Sequence, residues 1–238
     1  MKIVQVENYE ALSECAAKII AETVKRKPDC VLGLATGSTP VGTYGRLAQA
    51  YARGEVSFAD VHSINLDEYV GLGADDPQSY RYFMNQNLFD KVNINKENTF
   101  VPNGMAADAA AECARYDALY ERMGGIELQL LGIGRNGHVG FNEPAAALSA
   151  PTHVVTLSES TRQANSGNFE SLDAVPHSAI TLGMGGILKA RRILLLASGE
   201  AKREAIRKTV YGKVDPQVPA SFLQLHPDVT IICDFKLD

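Results

Sequence analysis

Two rhythms of hydrophobic and polar positions divide the chain. Short, largely apolar runs recur at Ile3–Val6, Cys30–Ala35, Leu128–Ile133, Arg192–Ala197 and Val229–Cys233, and a more polar strand candidate lies at Val61–Tyr69. Consecutive apolar positions over such lengths predict strands covered on both faces. Between them apolar residues return at helical spacing. Leu12, Cys15, Ile19 and Thr23 follow a candidate N-cap at Asn8, and Pro28 ends that helix after Lys27. Thr39 as N-cap with Pro40 at the first helical position predicts a helix to about Arg53. Ser79–Phe89 predicts a helix with Tyr80, Phe83, Met84 and Leu88 turned to the core. Another runs from about Ala107 to Met123, stopped by Gly124 and Gly125. Weaker patterns suggest strands at Thr99–Val101, His153–Leu157 and Ser178–Leu182, a helical turn at Met184–Lys189, and a helix opening at Ser198 and running to about Val210. Strand and helix in alternation predict the α/β class: a single doubly wound, mostly parallel sheet with helices on both faces, as one domain over residues 1–238.

The pattern converges on residues 128–144. Leu128, Leu130, Leu131 and Ile133 read as a buried strand, and Gly132 and Gly134 remove side chains where it stops. Asn136, His138 and Glu143 follow among further glycines and Pro144. In open α/β sheets, ligands bind beyond the carboxyl ends of the strands, where this loop falls. Thr36, Gly37 and Ser38 occupy the equivalent place after Cys30–Ala35, leading into a helix whose N-terminal N–H groups and dipole favour an anion. The Gly-Lys-Ser/Thr element of a P-loop is missing. Asp67 and Glu68 end the Val61–Tyr69 candidate, and Lys202 lies in the first turn of a late helix, where a cation is disfavoured unless an anion joins it.

Composition narrows the chemistry. A hydrophobic share of 45% supports a full core, and a net charge of -5 leaves no basic stripe for nucleic acid. Cys15, Cys30, Cys113 and Cys233 have neither metal-ligand nor redox spacing and read as buried thiols of a reducing, cytoplasmic compartment. Met1–Val6 reads as a strand, not a signal peptide, and no apolar run is long enough to cross a bilayer. No cluster has the spacing of a zinc site, and there is no nucleophile elbow. Ser38, Arg162 and Lys202 are candidate anion-binding groups. Asp67, and His138 with Glu143, are candidate acid–base groups, since an imidazole titrates near neutrality and a carboxylate suits proton abstraction beside a carbonyl. Together they describe an acid–base enzyme acting on a small phosphorylated molecule.

Residues 131–144 (Leu-Gly-Ile-Gly-Arg-Asn-Gly-His-Val-Gly-Phe-Asn-Glu-Pro), Asn65–Tyr69 (Asn-Leu-Asp-Glu-Tyr) and Ala35–Pro40 (Ala-Thr-Gly-Ser-Thr-Pro) resemble, in order, the glucosamine-6-phosphate deaminases. Ser160–Ser166 and Leu223–Pro227 fit as well. The resemblance implies conversion of glucosamine 6-phosphate and water to fructose 6-phosphate and ammonia, in amino-sugar metabolism and N-acetylglucosamine degradation, without metal or organic cofactor. It implies that His138, oriented by Glu143, assists ring opening, and that Asp67 moves the C2 proton to C1. It also implies that Thr36, Gly37, Ser38, Arg162 and Lys202 hold the phosphate. Asn136 stands where longer members carry Asp, so a carboxylate's charge is missing there. A mobile segment within about residues 145–185 is expected to cover the site. Longer members are hexamers activated by N-acetylglucosamine 6-phosphate. Two of their basic effector positions align with His153 and Val155, and the chain ends at Asp238 without their C-terminal extension. A non-allosteric monomer or small oligomer is expected. Two rival readings are a 6-phosphogluconolactonase, which shares the fold and phosphate loop but lacks the Phe-Asn-Glu-Pro ending, and a sugar-phosphate-binding module without turnover.

Overall fold

The computed structural model describes residues 1–165, 167 and 169–237. Its elements are β1 (Lys2–Gln5), α1 (Tyr9–Arg26), β2 (Val31–Leu34), α2 (Val41–Ala52), β3 (His62–Asn65), β4 (Asp67–Tyr69), α3 (Tyr80–Asn87), β5 (Thr99–Phe100), α4 (Ala109–Arg122), β6 (Leu128–Gly132), β7 (His153–Thr156), α5 (Glu159–Asn165), β8 (Ser178–Thr181), α6 (Met184–Leu188), β9 (Ile193–Ala197), α7 (Arg203–Tyr211) and β10 (Val229–Cys233). Seven strands form a parallel sheet in the order β1-β10-β9-β6-β2-β3-β5.

Strand periodicity explains the two cores. Val31, Leu131, Leu195 and Ile231 face one side, packed with Tyr116 and Leu119 of α4, Ile187 of α6 and Ile206 of α7. Their neighbours Leu32, Leu130, Leu194 and Ile232 face the other, packed with Leu12 and Ile20 of α1, Leu47 of α2 and Met84 of α3. Both faces are covered, which is why these strands read as unbroken apolar runs. From β2 the chain winds outward through β3 to β5. It then returns to β6 on the other side of β2 and winds through β9 to β10, which pairs with the N-terminal strand β1. The direction reverses between β2 and β6, and the loops that leave these two strands diverge there to leave a crevice.

The expected strand over Val61–Tyr69 is two strands. β3 stays in the parallel sheet, whereas β4 pairs antiparallel with β8, which pairs with β7. Leu66 is the joint: its N–H bonds the Leu34 carbonyl at 3.1 Å, and its own carbonyl accepts from Leu182 N–H at 2.7 Å. Thr39 does not cap α2. Pro40 takes the N-cap position in an αR conformation without a side-chain cap, and α2 starts at Val41. The late helix is likewise shorter than expected: Glu200–Lys202 is a 3₁₀ turn, and α7 begins at Arg203. On α1 the buried stripe is rotated slightly from the expected one, with Ala16, Ile20 and Val24 inside and Cys15 and Ile19 at its edge. All four cysteines are free. Ser166 and Asp238, which the motif reading included, lie outside the described residues. Among the described residues no helix is long and apolar enough to cross a membrane.

Candidate active site

Three loops that leave the parallel sheet, together with β4, line a cleft of about 770 Å³. The β2–α2 loop supplies Thr36, Gly37, Ser38 and Thr39. The loop after β6 supplies Gly134 to Asn136 and His138, and the turn after β9 supplies Lys202. Asp67 comes from β4, Tyr80 from α3 and Thr161 from α5. Eight of the nine residues assigned from sequence therefore meet at or against one cavity, with Glu143 reaching it through His138.

Arg162 is not brought into the cleft. Its guanidinium donates to the carbonyls of Leu172 at 2.7 Å and Val175 at 3.1 Å, which ties α5 to the turn that follows it. Arg135, which the motif reading passes over, lines the cleft instead. Tyr80 was expected in the core, but it forms part of the cleft wall, stacked on Phe141 with ring centroids 6.1 Å apart.

The β2–α2 loop turns at Gly37, whose φ of 91° favours glycine. It is fastened from outside the motif by the Tyr9 hydroxyl, which donates to the Ser38 carbonyl at 3.0 Å and accepts from Gly42 N–H at 2.8 Å. Lys202 is placed by the turn at Gly199, whose N–H donates to Asp234 at 2.7 Å. Burial, and then the charge of Arg135, hold the Lys202 ammonium below its ordinary pKa. An anion entering here meets two cations, loop N–H groups and the Ser38 hydroxyl.

After β6 a tight turn brings Gly137 N–H to the Gly134 carbonyl and Gly134 N–H to the His138 carbonyl, at 3.1 and 2.9 Å. The imidazole folds back over Gly134, where a Cβ would lie 2.2 Å from the ring. His138 Nδ1 lies 2.7 Å from Asn136 Oδ1 and 3.3 Å from Glu143 Oε1, and Asn136 Nδ2 donates to Glu143 Oε2 at 2.7 Å. The carboxylate only accepts, so it fixes the Asn136 amide with its oxygen toward the ring. His138 Nδ1 must then carry the proton, leaving Nε2 unprotonated in the neutral ring. Burial lowers the His138 pKa, Glu143 opposes this and Lys202 adds to it, so the ring is neutral at neutral pH. Asn136 thus acts without a carboxylate's charge, as the hydrogen-bond bridge between His138 and Glu143. Glu143 is held further by the Thr161 hydroxyl at 2.8 Å. The following motif residues pin this loop to the second sheet: Phe141 N–H donates to Thr181 Oγ1, and Asn142 Nδ2 donates to the Leu182 carbonyl.

Asp67 and Glu68 point apart, as adjacent strand residues must. The Glu68 carboxylate accepts from the N–H groups of Tyr69, Tyr80 and Arg81, so it caps the start of α3. Asp67 is 6% exposed and lies under Gly140, where a Cβ would sit 3.4 Å from its Oδ2. Burial, with a contribution from Glu68, pushes its carboxyl up to about 8. Glu68 is also raised by burial, against its three N–H donors. Among the described residues no cluster of three or more His, Cys, Asp or Glu side chains is placed to hold a metal ion.

The chain shares this architecture with proteins of known identity. A family model described as glucosamine-6-phosphate isomerases/6-phosphogluconolactonase matches residues 5–232. A glucosamine-6-phosphate deaminase of Clostridium perfringens is 56% identical over 234 residues, covering 98% of this chain and 97% of its own. Glucosamine-6-phosphate deaminase 1 of Bacillus subtilis is 50% identical over the same length, with the same coverage. Among solved structures, a monomeric glucosamine-6-phosphate deaminase matches with a TM-score of 0.96 at 50% identity, over 98% of this chain and 97% of that one. A 6-phosphogluconolactonase from Thermotoga maritima matches with a TM-score of 0.77 at 17% identity over 98% of each chain, a likeness of fold alone. The chain belongs to the glucosamine-6-phosphate isomerase/6-phosphogluconolactonase family.

Proposed function

We propose that the protein converts glucosamine 6-phosphate and water to fructose 6-phosphate and ammonia. One observation carries this reading: a neutral imidazole and a buried carboxyl group face the same cleft as two cations, and among the described residues Nε2 of the imidazole has no hydrogen-bond partner, the carboxyl no cationic partner and the cations no carboxylate partner. The phosphate sits on the Thr36–Ser38 loop beside Lys202. That end of the cleft fixes the sugar so that C1 and C2 lie between His138 and Asp67.

His138 Nε2 takes the proton of the C1 hydroxyl and returns one to the ring oxygen, opening the ring to the aldehyde. The imidazolium formed in passing is stabilised through Nδ1 by Asn136 and Glu143. Asp67 then removes the C2 proton. The substrate's ammonium at C2 supplies the positive charge that Asp67 lacks in the free protein, favouring the carboxylate where it is needed. As the C2 proton leaves, a proton of the ammonium passes to O1 to give the enolamine, which takes a proton at C1 from Asp67. Water adds to the C2 iminium carbon, its proton passes to the nitrogen, and ammonia leaves to give the ketose.

The high identity to named deaminases and the Phe-Asn-Glu-Pro segment that holds Glu143 support this reading over lactone hydrolysis, which needs no base at C2–H. We further propose that the protein works as a monomer or small oligomer in the cytoplasm, supported by the monomeric structural relative and the four free thiols. A coupled assay for ammonia from glucosamine 6-phosphate, run beside hydrolysis of 6-phosphogluconolactone, tests the function. Turnover of the lactone alone would overturn it, and affinity for glucosamine 6-phosphate without ammonia release would mark a binding module.

A further inference from the structure

Two basic side chains face the anion end of the cleft, and they come from different loops. Arg135 sits at the tip of the Gly134–His138 turn and Lys202 ends the 3₁₀ turn after β9. Neighbouring acids are already engaged: Glu200 with Arg203, Glu143 with His138, and Asp234 with Gly199 N–H. Among the described residues no carboxylate pairs with Arg135 or Lys202. Holding two like charges together without a counter-ion is unfavourable, and a dianion shared between them removes that cost. Arg162, by contrast, spends its guanidinium on the Leu172 and Val175 carbonyls.

We propose that Arg135, and not Arg162, is the second cation of the phosphate subsite, closing with Lys202 on a phosphate seated at Thr36–Ser38. The guanidinium's planar fork suits bidentate contact with two phosphate oxygens. The turn that aims His138 at the sugar also carries Arg135, so phosphate binding and ring opening share one loop: a ligand that engages Arg135 steadies the backbone from which the imidazole projects. The substrate's identity rests on the proposed function, whereas the anion subsite does not.

The test uses the full-length protein and inorganic phosphate as probe, with affinities from calorimetry. Arg135 is exposed and makes no contact that the fold needs, so Arg135→Gln should keep the wild-type melting temperature. It should weaken phosphate about tenfold, flatten the salt dependence of binding, and raise KM for glucosamine 6-phosphate by a similar factor with kcat little changed, an exposed charge-assisted contact being worth roughly that much. Arg135→Lys should recover part of the loss. Arg162→Gln, checked for folding by melting, should leave phosphate affinity within about twofold. Unchanged phosphate affinity in Arg135→Gln, or an equal or larger loss in folded Arg162→Gln, would overturn the assignment. If the wild type bound phosphate through Arg135 yet released no ammonia from glucosamine 6-phosphate, the proposed activity would fail and the subsite would stand.

Discussion

Asp67 is a carboxyl whose ionisation the fold resists. Between the ordinary value of 3.8 and about 8, the unfolded chain is ionised at this position while the folded chain keeps its proton. Stability from this group is therefore full below about pH 4 and declines as pH rises through 8. Asp67→Asn should nearly abolish turnover, by a factor of about 10²–10⁴, while ligand affinity stays within a few-fold. It should also melt higher than wild type at pH 8, by on the order of 1 kcal/mol or more, with the difference gone at pH 4. A carboxyl ¹³C titration of the free protein, assigned with the same variant, should place Asp67 near 8; a midpoint near 4 would remove the basis for both effects. A second residue-scale consequence concerns Gly134. The imidazole occupies the space its Cβ would need, so Gly134→Ala should cut kcat at least tenfold through a displaced His138, with the fold retained by circular dichroism. Gly134, His138 and Glu143 were legible in the sequence because glycine, imidazole and carboxylate fall within one short segment, and Asp67 because it ends a strand candidate. Arg162 was misleading because sequence shows a cation's position along the chain, not the carbonyls it is tied to.

At the scale of elements, the loops that build the cleft are held by partners far away along the chain. Tyr9 of α1 fastens the β2–α2 loop, and Thr181 of β8 and the Leu182 carbonyl anchor the loop after β6. Tyr9→Phe leaves Gly42 N–H without its acceptor and frees the loop, so stability should fall by about 1 kcal/mol. KM for the sugar phosphate should rise several-fold with kcat nearly kept, as thermal melts and steady-state kinetics would show. Such contacts span 29 to 40 residues, and neither periodicity nor a motif encodes them. The mostly parallel sheet and its covered faces were readable, because unbroken apolar runs require helices on both sides; the strand order was not, since such runs carry no information about which strands are neighbours. The break at Leu66 was not: a strand passing from one sheet to another keeps the same apolar pattern and changes only its partners. Tyr80 was misread for a similar reason. The helical stripe shows which face is inward but not that part of that face borders a cleft.

For the whole molecule, the reversal of winding between β2 and β6 gathers an anion site and an acid–base pair into one crevice. A second regulatory site finds no matching chemistry at the positions the longer relatives use. His153 Nδ1 bonds the Pro151 carbonyl at 3.0 Å, and Val155 packs against the aromatic group of Tyr69 and Phe141. Neither supplies a fixed positive charge. Initial rates should follow a hyperbola and be unaffected by N-acetylglucosamine 6-phosphate, and light scattering should give a monomer or small oligomer; a sigmoidal curve relieved by the N-acetyl compound would show a second site with differential affinity. In the proposed reaction Asp67 carries a proton between C2 and C1 before nitrogen leaves C2. Turnover of glucosamine 6-phosphate in deuterated water measures it most directly, with ammonia and product followed together. Ammonia and fructose 6-phosphate should appear in equal amounts, with solvent deuterium at C1 of the ketose in the fraction of turnovers in which the Asp67 proton exchanges with water, and all three signals lost in Asp67→Asn. Fructose 6-phosphate and ammonia formed at a comparable rate by Asp67→Asn, or no ammonia at all from the wild type, would contradict it.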